Sequence, residues 1–408
     1  MTDATTGSTY HVVNLIGSLF QLDPDDTPFL AMAGGLNGGR SAGTPIFTWQ
    51  TESVGAGAAV TGIAEGVDPS MATVDRSEVV NVCQIFNQAV EVTYTKQAAT
   101  NRLGDYGASR AWSIQGDQPV QNELGHQLEL ATMSIARDVD WAFLNGTYQL
   151  PTDNTTGRQT RGLITATTTN SFEQESDAVG TTWDFDFTGG ASEDLWTTAA
   201  AHGLVVGDEI VFTTADAAPA EYVAATSYWV VAVPLATTVQ LSATKGGAVL
   251  AGTADATAGN WVAEKRADLS KAMIDTLMKS VFDNGGLTGG SMPVFFCGSG
   301  NKTRFSTIYG YAPEDRFVGG VNISTIETDF ARVGVVIDRN MPRDVVLLAD
   351  MSVVKPVTLP IPGKGHFFGE ELATTGPKWN WMVYGEIGLE YGPEQRHGVI
   401  SGLTSTTD

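Results

Sequence analysis

The residue types that most often carry catalysis occur in this sequence at spacings that favour no reaction. None of the five histidines has the HxH or HExxH spacing that brings two imidazoles to one metal ion. The chain also lacks a GxSxG nucleophile turn, a GxxxxGKS or GxxxxGKT phosphate loop, and a GxGxxG that follows a strand. His126 falls in a helical segment, where a structural or solvent-facing role is expected. The sequence therefore predicts no enzyme, no zinc site and no cofactor.

Paired carboxylates are the remaining candidates for chemistry. They are Asp25 with Asp26, Asp184 with Asp186, and Glu370 with Glu371. Such pairs could serve a glycosidase or bind calcium. A helix-loop-helix calcium site would need a DxDxDG loop closed by glutamate, which is absent. We interpret the pairs as solvated surface residues and keep a divalent ion in residues 162–263 as an alternative.

Charge argues against specific binding of nucleic acid. Lysine and arginine total 23 against 46 aspartates and glutamates, so the formal charge is −23 and the long-range field repels phosphates. Tryptophans that stack on bases normally line a basic groove, so here they are expected in a core or an interface. The residues concerned are Trp49, Trp112, Trp141, Trp379 and Trp381.

The start of the sequence and its two cysteines bear on the compartment in which the protein is made. The start MTDATTGSTY lacks the basic residues and apolar run of a signal peptide, and no stretch has the 18 or more apolar residues of a membrane span. We therefore expect synthesis in the cytosol and no membrane partner. In that reducing compartment Cys83 and Cys297 are expected to be buried thiols.

The first 95 residues have the pattern of an arm followed by a finger. Residues 1–43, which carry one short apolar stretch at Val12–Phe20, predict an extended arm with one small helix. Residues 44–95 combine TPIFTWQTES, a glycine-rich tip and VVNVCQIFNQAVEVTYT, whose alternation predicts a long two-stranded hairpin. An isolated hairpin is marginal in water, so this one should lie on another surface. Candidate contacts between subunits are Phe47, Trp49, Ile63 and Val67.

A long amphipathic helix is predicted for residues 117–145, within a domain at 96–161, and Gly146 is its expected end. Its apolar residues recur at steps of three and four; they are Leu124, Leu128, Ala131, Ile135, Val139 and Ala142. Residues 264–385 predict an α/β layer, with a helix in DLSKAMIDTLMKSVFDNGG and strands in MPVFFCG, RVGVVID and DVVLLAD. Residues 386–408 are expected to form strands that return to the hairpin legs or the helix.

Residues 162–263 differ from both flanks. They hold one basic residue, Lys245, against twelve acidic ones, a formal charge of −11. Short strands such as EIVFTT, SYWVVAVP and TVQLS alternate with turns, which predicts an inserted all-β sandwich or barrel.

Several ordered motifs resemble major capsid proteins of tailed phages with the Hong Kong 97 fold, in the subfamily typified by phage SU10. They are LFQLDPDDTPFL, IFTWQTES, QIFNQAVEVTYT, ELATMSIARDVDWAFLNG, VGVVIDRNMPRDVVLLAD and EIGLEYGPEQRHGVISGL. The resemblance covers about residues 8–161 and 264–402. It implies an α+β fold with an N-terminal arm, an extended loop, a peripheral domain on a spine helix and an axial α/β domain, here with an added all-β domain.

The resemblance also implies a function and partners. The subunit would form hexamers and pentamers of an icosahedral shell around double-stranded DNA, in a virion assembled in the bacterial cytoplasm. Scaffolding, decoration and portal proteins are possible partners. The lysine-to-asparagine cross-link known in part of the family is not expected, because residues 44–95 contain no lysine.

Two alternatives remain open from the sequence. An encapsulin-like compartment shell would share the fold and hold cargo enzymes instead of a genome. A β-rich surface adhesin or glycosidase would account for the acidic segment and the tryptophans, although no signal peptide supports secretion.

Overall fold

The fold is given by a computed structural model. It describes residues 26–52, 65, 76–96, 123–153, 155–173, 183–188, 194–214, 221–252, 256–310, 314–318, 321–374 and 376–405.

The helices of the described residues are α1 (Pro28–Ala33), α2 (Glu123–Asn145), α3 (Leu163–Ala166), α4 (Lys271–Asp283) and α5 (Ser299–Tyr309), with a 3-10 turn at Glu394–Arg396. The strands are β1 (Arg40–Ser41), β2 (Ile46–Glu52), β3 (Arg76–Val82), β4 (Gln84–Thr93), β5 (Ser171–Glu173), β6 (Trp183–Thr188), β7 (Leu195–Thr198), β8 (Glu209–Thr214), β9 (Ser227–Leu235), β10 (Thr238–Ser242), β11 (Ala256–Lys265), β12 (Pro293–Cys297), β13 (Glu314–Val318), β14 (Val321–Glu327), β15 (Arg332–Ile337), β16 (Val346–Asp350), β17 (Lys355–Thr358), β18 (Phe367–Leu372), β19 (Lys378–Glu390) and β20 (Gly398–Ser401).

A five-stranded sheet and the spine helix α2 form the peripheral layer. The long strand β19 pairs antiparallel with β4 along one edge and with β17 and β18 along the other, while β1 extends the sheet beside β17. Helix α2 packs on β4 and β19. Its Ala131, Ile135, Val139 and Ala142 are buried, because steps of three and four place them on one face. The predicted stripe is thus the face that meets the sheet.

Helix α2 ends at Asn145, as predicted, and its expected start at residue 117 lies outside the described residues. Gly146 lets the chain double back closely, since a Cβ there would lie 2.4 Å from the carbonyl oxygens of both Ala142 and Thr160. The Gly146 carbonyl accepts a hydrogen bond from the Gly162 amide at 2.8 Å. A side chain at this position would push the two segments apart.

A seven-stranded sheet forms the axial layer, in the order β13-β14-β15-β12-β16-β20-β5. Strand β12 lies between β15, to which it is parallel, and β16, to which it is antiparallel. Strand β16 is buried at every residue, which explains its continuous apolar run. Helix α4 packs against β20, and α5 against β12 and β15. The predicted α/β layer is therefore present.

The acidic insertion folds as a closed six-stranded barrel, in the order β10-β7-β6-β11-β8-β9. Closure leaves no open sheet edge. Trp196 is fully buried at its centre, with ring centroids 4.7 Å from Phe187, 4.7 Å from Phe212 and 5.1 Å from Trp261. On β6 the buried Phe185 and Phe187 flank Asp186, and Asp184 is exposed. The barrel thus has a hydrophobic core of its own.

The start of the barrel differs from the predicted boundary at residue 162. Its first strand begins at Trp183 and its last ends at Lys265. Leu163 is buried in the peripheral core, and β5 pairs parallel with β20 in the axial sheet. These threonine-rich residues have the composition of the insertion, but the partner of β5 lies more than 200 residues away along the chain, beyond the reach of local pattern.

Two further boundaries are corrected. The return leg of the finger is split at Cys83: only Arg76–Val82 pairs with Ile46–Glu52, whereas β4 pairs with β19. The expected division at residue 385 also fails, because β17, β18 and all of β19 belong to the peripheral sheet, while β20 lies in the axial sheet. The chain therefore crosses between the layers more often than the alternation alone indicated. Strand β19 does return to a hairpin leg, as predicted.

In the arm, the apolar stretch Val12–Phe20 lies outside the described residues. The described part of the arm contains the small helix α1, which begins at Pro28, a favourable first helical residue because proline lacks the N–H that would have no partner there. In the part of the chain that is described, no helix is long and apolar enough to span a membrane.

Candidate functional site

The root of the extended hairpin is the candidate site, since it holds two of the four predicted contact residues. Strands β2 and β3 pair in register from Ile46 opposite Val82 to Glu52 opposite Arg76. Along β2, Phe47 and Trp49 are half-buried and alternate with exposed residues. Both rings therefore lie on the inner face of the hairpin. Ile63 and Val67 lie outside the described residues.

Trp49 fixes the hairpin to the chain that follows β19. Its Nε1 donates a hydrogen bond to the Gly392 carbonyl at 3.0 Å. Its ring meets Tyr391 edge to face, with centroids 4.8 Å apart and planes at 88°, a favourable geometry for aromatic pairs. The described contacts of Trp49 are thus made within one chain, and a role between subunits stays a prediction.

Phe47 contacts β19 itself. A Cβ on Gly388 would lie 2.7 Å from a ring atom of Phe47 and 2.6 Å from the Val82 carbonyl oxygen. Only glycine fits where the hairpin crosses the long strand this closely. Phe47 and Trp49 also stack on each other, with centroids 6.1 Å apart.

A buried polar contact completes the root, and sequence reasoning missed it. Asn81 is fully buried, and its Nδ2 donates to the Leu389 carbonyl at 2.7 Å. Its Oδ1 accepts from the Arg161 amide at 2.9 Å. The side chain therefore bonds β19 and the segment after α2 at once. The signal that could have found it is the single amide inside the apolar run VVNVC, because such a residue must have partners when buried.

An ion pair beside this contact holds the same segment to β19. Arg158 donates to Glu386 at 2.9 Å, and both side chains are largely buried. Tyr384 donates its hydroxyl to the other carboxylate oxygen of Glu386 at 2.8 Å. Burial and the adjacent carboxylate raise the pKa of Tyr384 to about 12. Tyr384 is therefore a neutral donor at physiological pH.

A solvent-open groove of about 880 Å³ lies between the hairpin and the axial layer. Its charged lining is mixed, with Arg40 held by Glu390 at 3.0 and 3.1 Å and with Lys355 and Arg396 further along. Neither histidine nor cysteine lines it. The groove thus offers polar contacts and none of the side-chain sets of nucleophilic or metal catalysis.

The remaining candidates for chemistry are structural. Both cysteines are buried, and burial raises each thiol pKa to about 12, so neither is a reactive thiolate. His397 is fully buried; its Nδ1 accepts from the Asp350 amide at 3.1 Å and its Nε2 donates to the Tyr391 carbonyl at 2.7 Å. Among the described residues, no group of three histidine, cysteine, aspartate or glutamate side chains could hold a metal ion.

An extended hairpin, a sheet on a spine helix and a separate α/β layer together define a capsid subunit of the Hong Kong 97 type. The chain is similar to the capsid asymmetric unit of cyanophage A-1(L), with a TM-score of 0.54, 9% identity, and coverage of 98% of this chain and 99% of that one. The model of the SU10 major capsid protein family matches residues 2–404. The chain therefore belongs to the SU10 major capsid protein family.

Two further solved structures match with lower TM-scores. One is from Mycobacterium phage Ogopogo, with a TM-score of 0.48, 10% identity and 96% coverage of each chain. Another is the holo-SrpI encapsulin complex from Synechococcus elongatus, with a TM-score of 0.45, 9% identity, and coverage of 97% of this chain and 94% of that one. The fold comparison rests on the cyanophage capsid. No curated protein matches the sequence.

Family membership decides the class of protein. A major capsid protein is a structural component of the virion, so the prediction that the chain is not an enzyme is confirmed. The Hong Kong 97 fold with an inserted all-β domain is confirmed as well.

We expect Trp49→Ala to loosen the hairpin root and lower the free energy of unfolding by about 2 kcal/mol, because it removes a partly buried ring and a hydrogen bond. Particle yield should fall with it. Trp49→Phe keeps the ring contact and should lose only about 1 kcal/mol. Thermal unfolding and the yield of sedimenting particles are the measurements.

The matched control is Trp141→Ala, since Trp141 is 54% exposed on α2. It should change the free energy of unfolding by under about 1 kcal/mol. If Trp49→Ala melts and assembles like the wild type, the root does not depend on this contact.

Proposed function

We propose that the chain self-assembles into hexamers and pentamers that tile an icosahedral shell around the double-stranded DNA of a tailed phage. The observation that carries the proposal is the family match over residues 2–404. The hairpin supports it, because a two-stranded ribbon is marginally stable by itself and is stabilised by a further surface, which a neighbouring copy can supply. Assembly takes place in the cytoplasm of the host bacterium.

The charge of the chain determines how the genome is held. With a formal charge of −23 per subunit, the shell repels phosphates, so DNA is retained by confinement and not by specific binding. Scaffolding, portal and decoration proteins are the further partners proposed.

An encapsulin-like compartment shell is the second candidate, because such a shell shares the fold. The two candidates differ in what the particle contains: double-stranded DNA in one, cargo enzymes in the other. The experiment that tests the proposal follows from this difference.

Electron microscopy of the expressed chain should show closed particles with five-fold and six-fold clusters, and particles from infected cells should protect double-stranded DNA from nuclease. A chain that stays monomeric under all assembly conditions would contradict the proposal. Particles that carry protein cargo and no DNA would favour the encapsulin-like alternative.

The shell should contain no covalent links between subunits, because residues 44–95 offer no lysine to attack an asparagine. Particles boiled in detergent should release one band near 43 kDa on an electrophoresis gel. A ladder of multimers would show that another lysine supplies the nucleophile. If the single band appears, buried area and the wrapped arm, or added proteins, hold the shell.

The barrel is proposed to lie on the outer surface of the shell. Residues 183–265 carry ten acidic and two basic side chains, and this charge repeats in every copy. In tight interfaces such carboxylates would repel one another and lose hydration, whereas salt screens them on an exposed face. The contact between the barrel and the end of the chain supports this position. The Glu209 carboxylate of the barrel accepts from the Ser405 amide at 2.9 Å and from the Ser405 hydroxyl at 2.8 Å.

Limited proteolysis of intact, DNA-filled particles tests this position. The first cuts, mapped by mass spectrometry, should fall within residues 183–265, at loops between barrel strands. Dissociated subunits serve as the control, since they should also be cut elsewhere. Protection of the barrel in intact particles, with cuts in the other domains, would place it inside.

A further inference from the structure

Two fully buried carboxyl groups meet at the junction of the arm, the spine helix and the axial layer. Asp140 lies on α2, and Asp338 directly follows β15. Helix α1 of the arm packs on α2 at the same place. Phe29 of α1 reaches across to Phe296 of the axial sheet, with ring centroids 5.2 Å apart. Three parts of the fold therefore touch around this pair.

The hydrogen bonds at the junction use all but one carboxyl oxygen. Asp140 accepts from the Leu30 amide at 2.8 Å and from Nδ2 of Asn340 at 2.7 Å. Asp338 accepts through Oδ1 from the Asn340 amide at 2.8 Å. Its Oδ2 is buried without a hydrogen-bond donor. Asn340 brings the two carboxyl groups to one place, because its amide bonds Asp338 and its Nδ2 bonds Asp140. Two buried carboxylates held in one place repel each other, so the arrangement favours a proton on one of them.

The surrounding charges favour that proton. Asp26 of the arm adds negative potential, and the neighbouring Arg339 is directed to Asp26, with Nε 2.9 Å from its carboxylate, at a solvent-exposed position. From the axial layer, the Cys297 thiol and Lys302 also face this region. Burial and the charge of Asp140 raise the pKa of Asp338 to about 7. Burial raises the pKa of Asp140 as well.

We propose that Asp140 and Asp338 share one proton, and that this proton latches helix α1 of the arm onto the spine helix and the axial layer. Asp338 is the proton carrier, and Asp140 keeps its charge and accepts from Leu30 and Asn340. Without the proton, two adjacent buried carboxylates repel, and the arm is the element that can separate most easily, because α1 has only six residues.

The sign of the pH dependence follows from the raised pKa. When the latch opens, Asp338 meets water and returns to its ordinary pKa of 3.8, so the open form loses a proton that the closed form keeps. Between pH 4 and 7, each increase of one pH unit therefore raises the equilibrium constant for opening roughly tenfold. Above about pH 7 both forms are deprotonated and the dependence ends. The arm is held most tightly at acidic pH.

Hydrogen exchange of the peptide covering residues 28–34 measures this opening directly, in assembled or unassembled protein alike. After correction for the intrinsic exchange rate, protection in the wild type should fall roughly a hundredfold from pH 5 to pH 7 and then level off. The same series in EDTA separates a proton from a cation. Protection lost on chelation at constant pH would overturn the proposal, since a bound metal ion would then occupy the pair.

Asp338→Asn is the central variant, because an amide accepts and donates as the protonated acid does. In this variant, the protection of residues 28–34 from exchange should be independent of pH. At pH 8 it should equal the protection of the wild type at pH 5. In Asp140→Asn, residues 28–34 should lose protection at every pH. The new side-chain NH2 group is itself a donor and would face the N–H donor of either Leu30 or Asn340. Asp283→Asn, at an exposed position on α4, is the matched control and should follow the wild type.

Asp26→Asn offers a test that does not alter the pair itself. Removing this negative charge should lower the pKa of Asp338, so protection should level off at a lower pH than in the wild type. A wild-type profile without pH dependence, or an Asp338→Asn profile that keeps the wild-type slope, would show that no shared proton holds the arm.

Discussion

The structure depends on one long strand. Strand β19 has thirteen residues and hydrogen-bonds to β4 along one edge and to β17 and β18 along the other. It thereby joins β4, about 300 residues earlier in the chain, to the two strands that directly precede it. One of its faces carries the spine helix. Because a two-stranded ribbon is only marginally stable in water, the hairpin requires this sheet as its base. Gly388, Leu389 and the residues just after β19 supply that base.

Buried polar side chains determine how the segments meet. Asn170 uses its whole amide, since Nδ2 donates to the carbonyls of Gln395 and His397 and Oδ1 accepts from Ser280 and Asn284. It thereby connects the entry to the insertion, helix α4 and the segment before β20. Asn81 does the same for the hairpin. An apolar side chain would leave several main-chain groups without partners at either position, which makes these contacts more selective than hydrophobic packing alone.

These observations explain which features the sequence could predict. Helix α2 was predicted to its last residue because the stripe from Ala131 to Ala142 and the stop at Gly146 are local signals. The barrel was predicted because its turns recur at short spacing and its composition changes. Its first boundary was misplaced, because the pairing of β5 with β20 joins residues 171–173 to 399–401, and no local pattern encodes such a partner.

The candidate site shows the same division between local and non-local information. The alternation in IFTWQTES correctly placed Phe47 and Trp49 on one face of a strand, but alternation does not say which surface that face meets. In the structure it meets Tyr391 and Gly392 of the same chain. The partners of Asn81, and the meeting of Asp140 and Asp338 at Asn340, were beyond sequence reasoning, because each depends on residues more than 75 positions apart.

The hairpin and the arm share one hydrophobic core. Phe29 and Leu30 of the arm, the apolar face of α2, and Leu389 and Tyr391 beside the hairpin root belong to the same buried cluster, against which Trp49 also packs. Close-packed cores have little free volume, so a displacement on one side must be accommodated on the other. A change in how the arm is seated would therefore reach the hairpin root through α2 and β19. This shared core gives a subunit with two extended elements a physical route by which contacts made by one can influence the other.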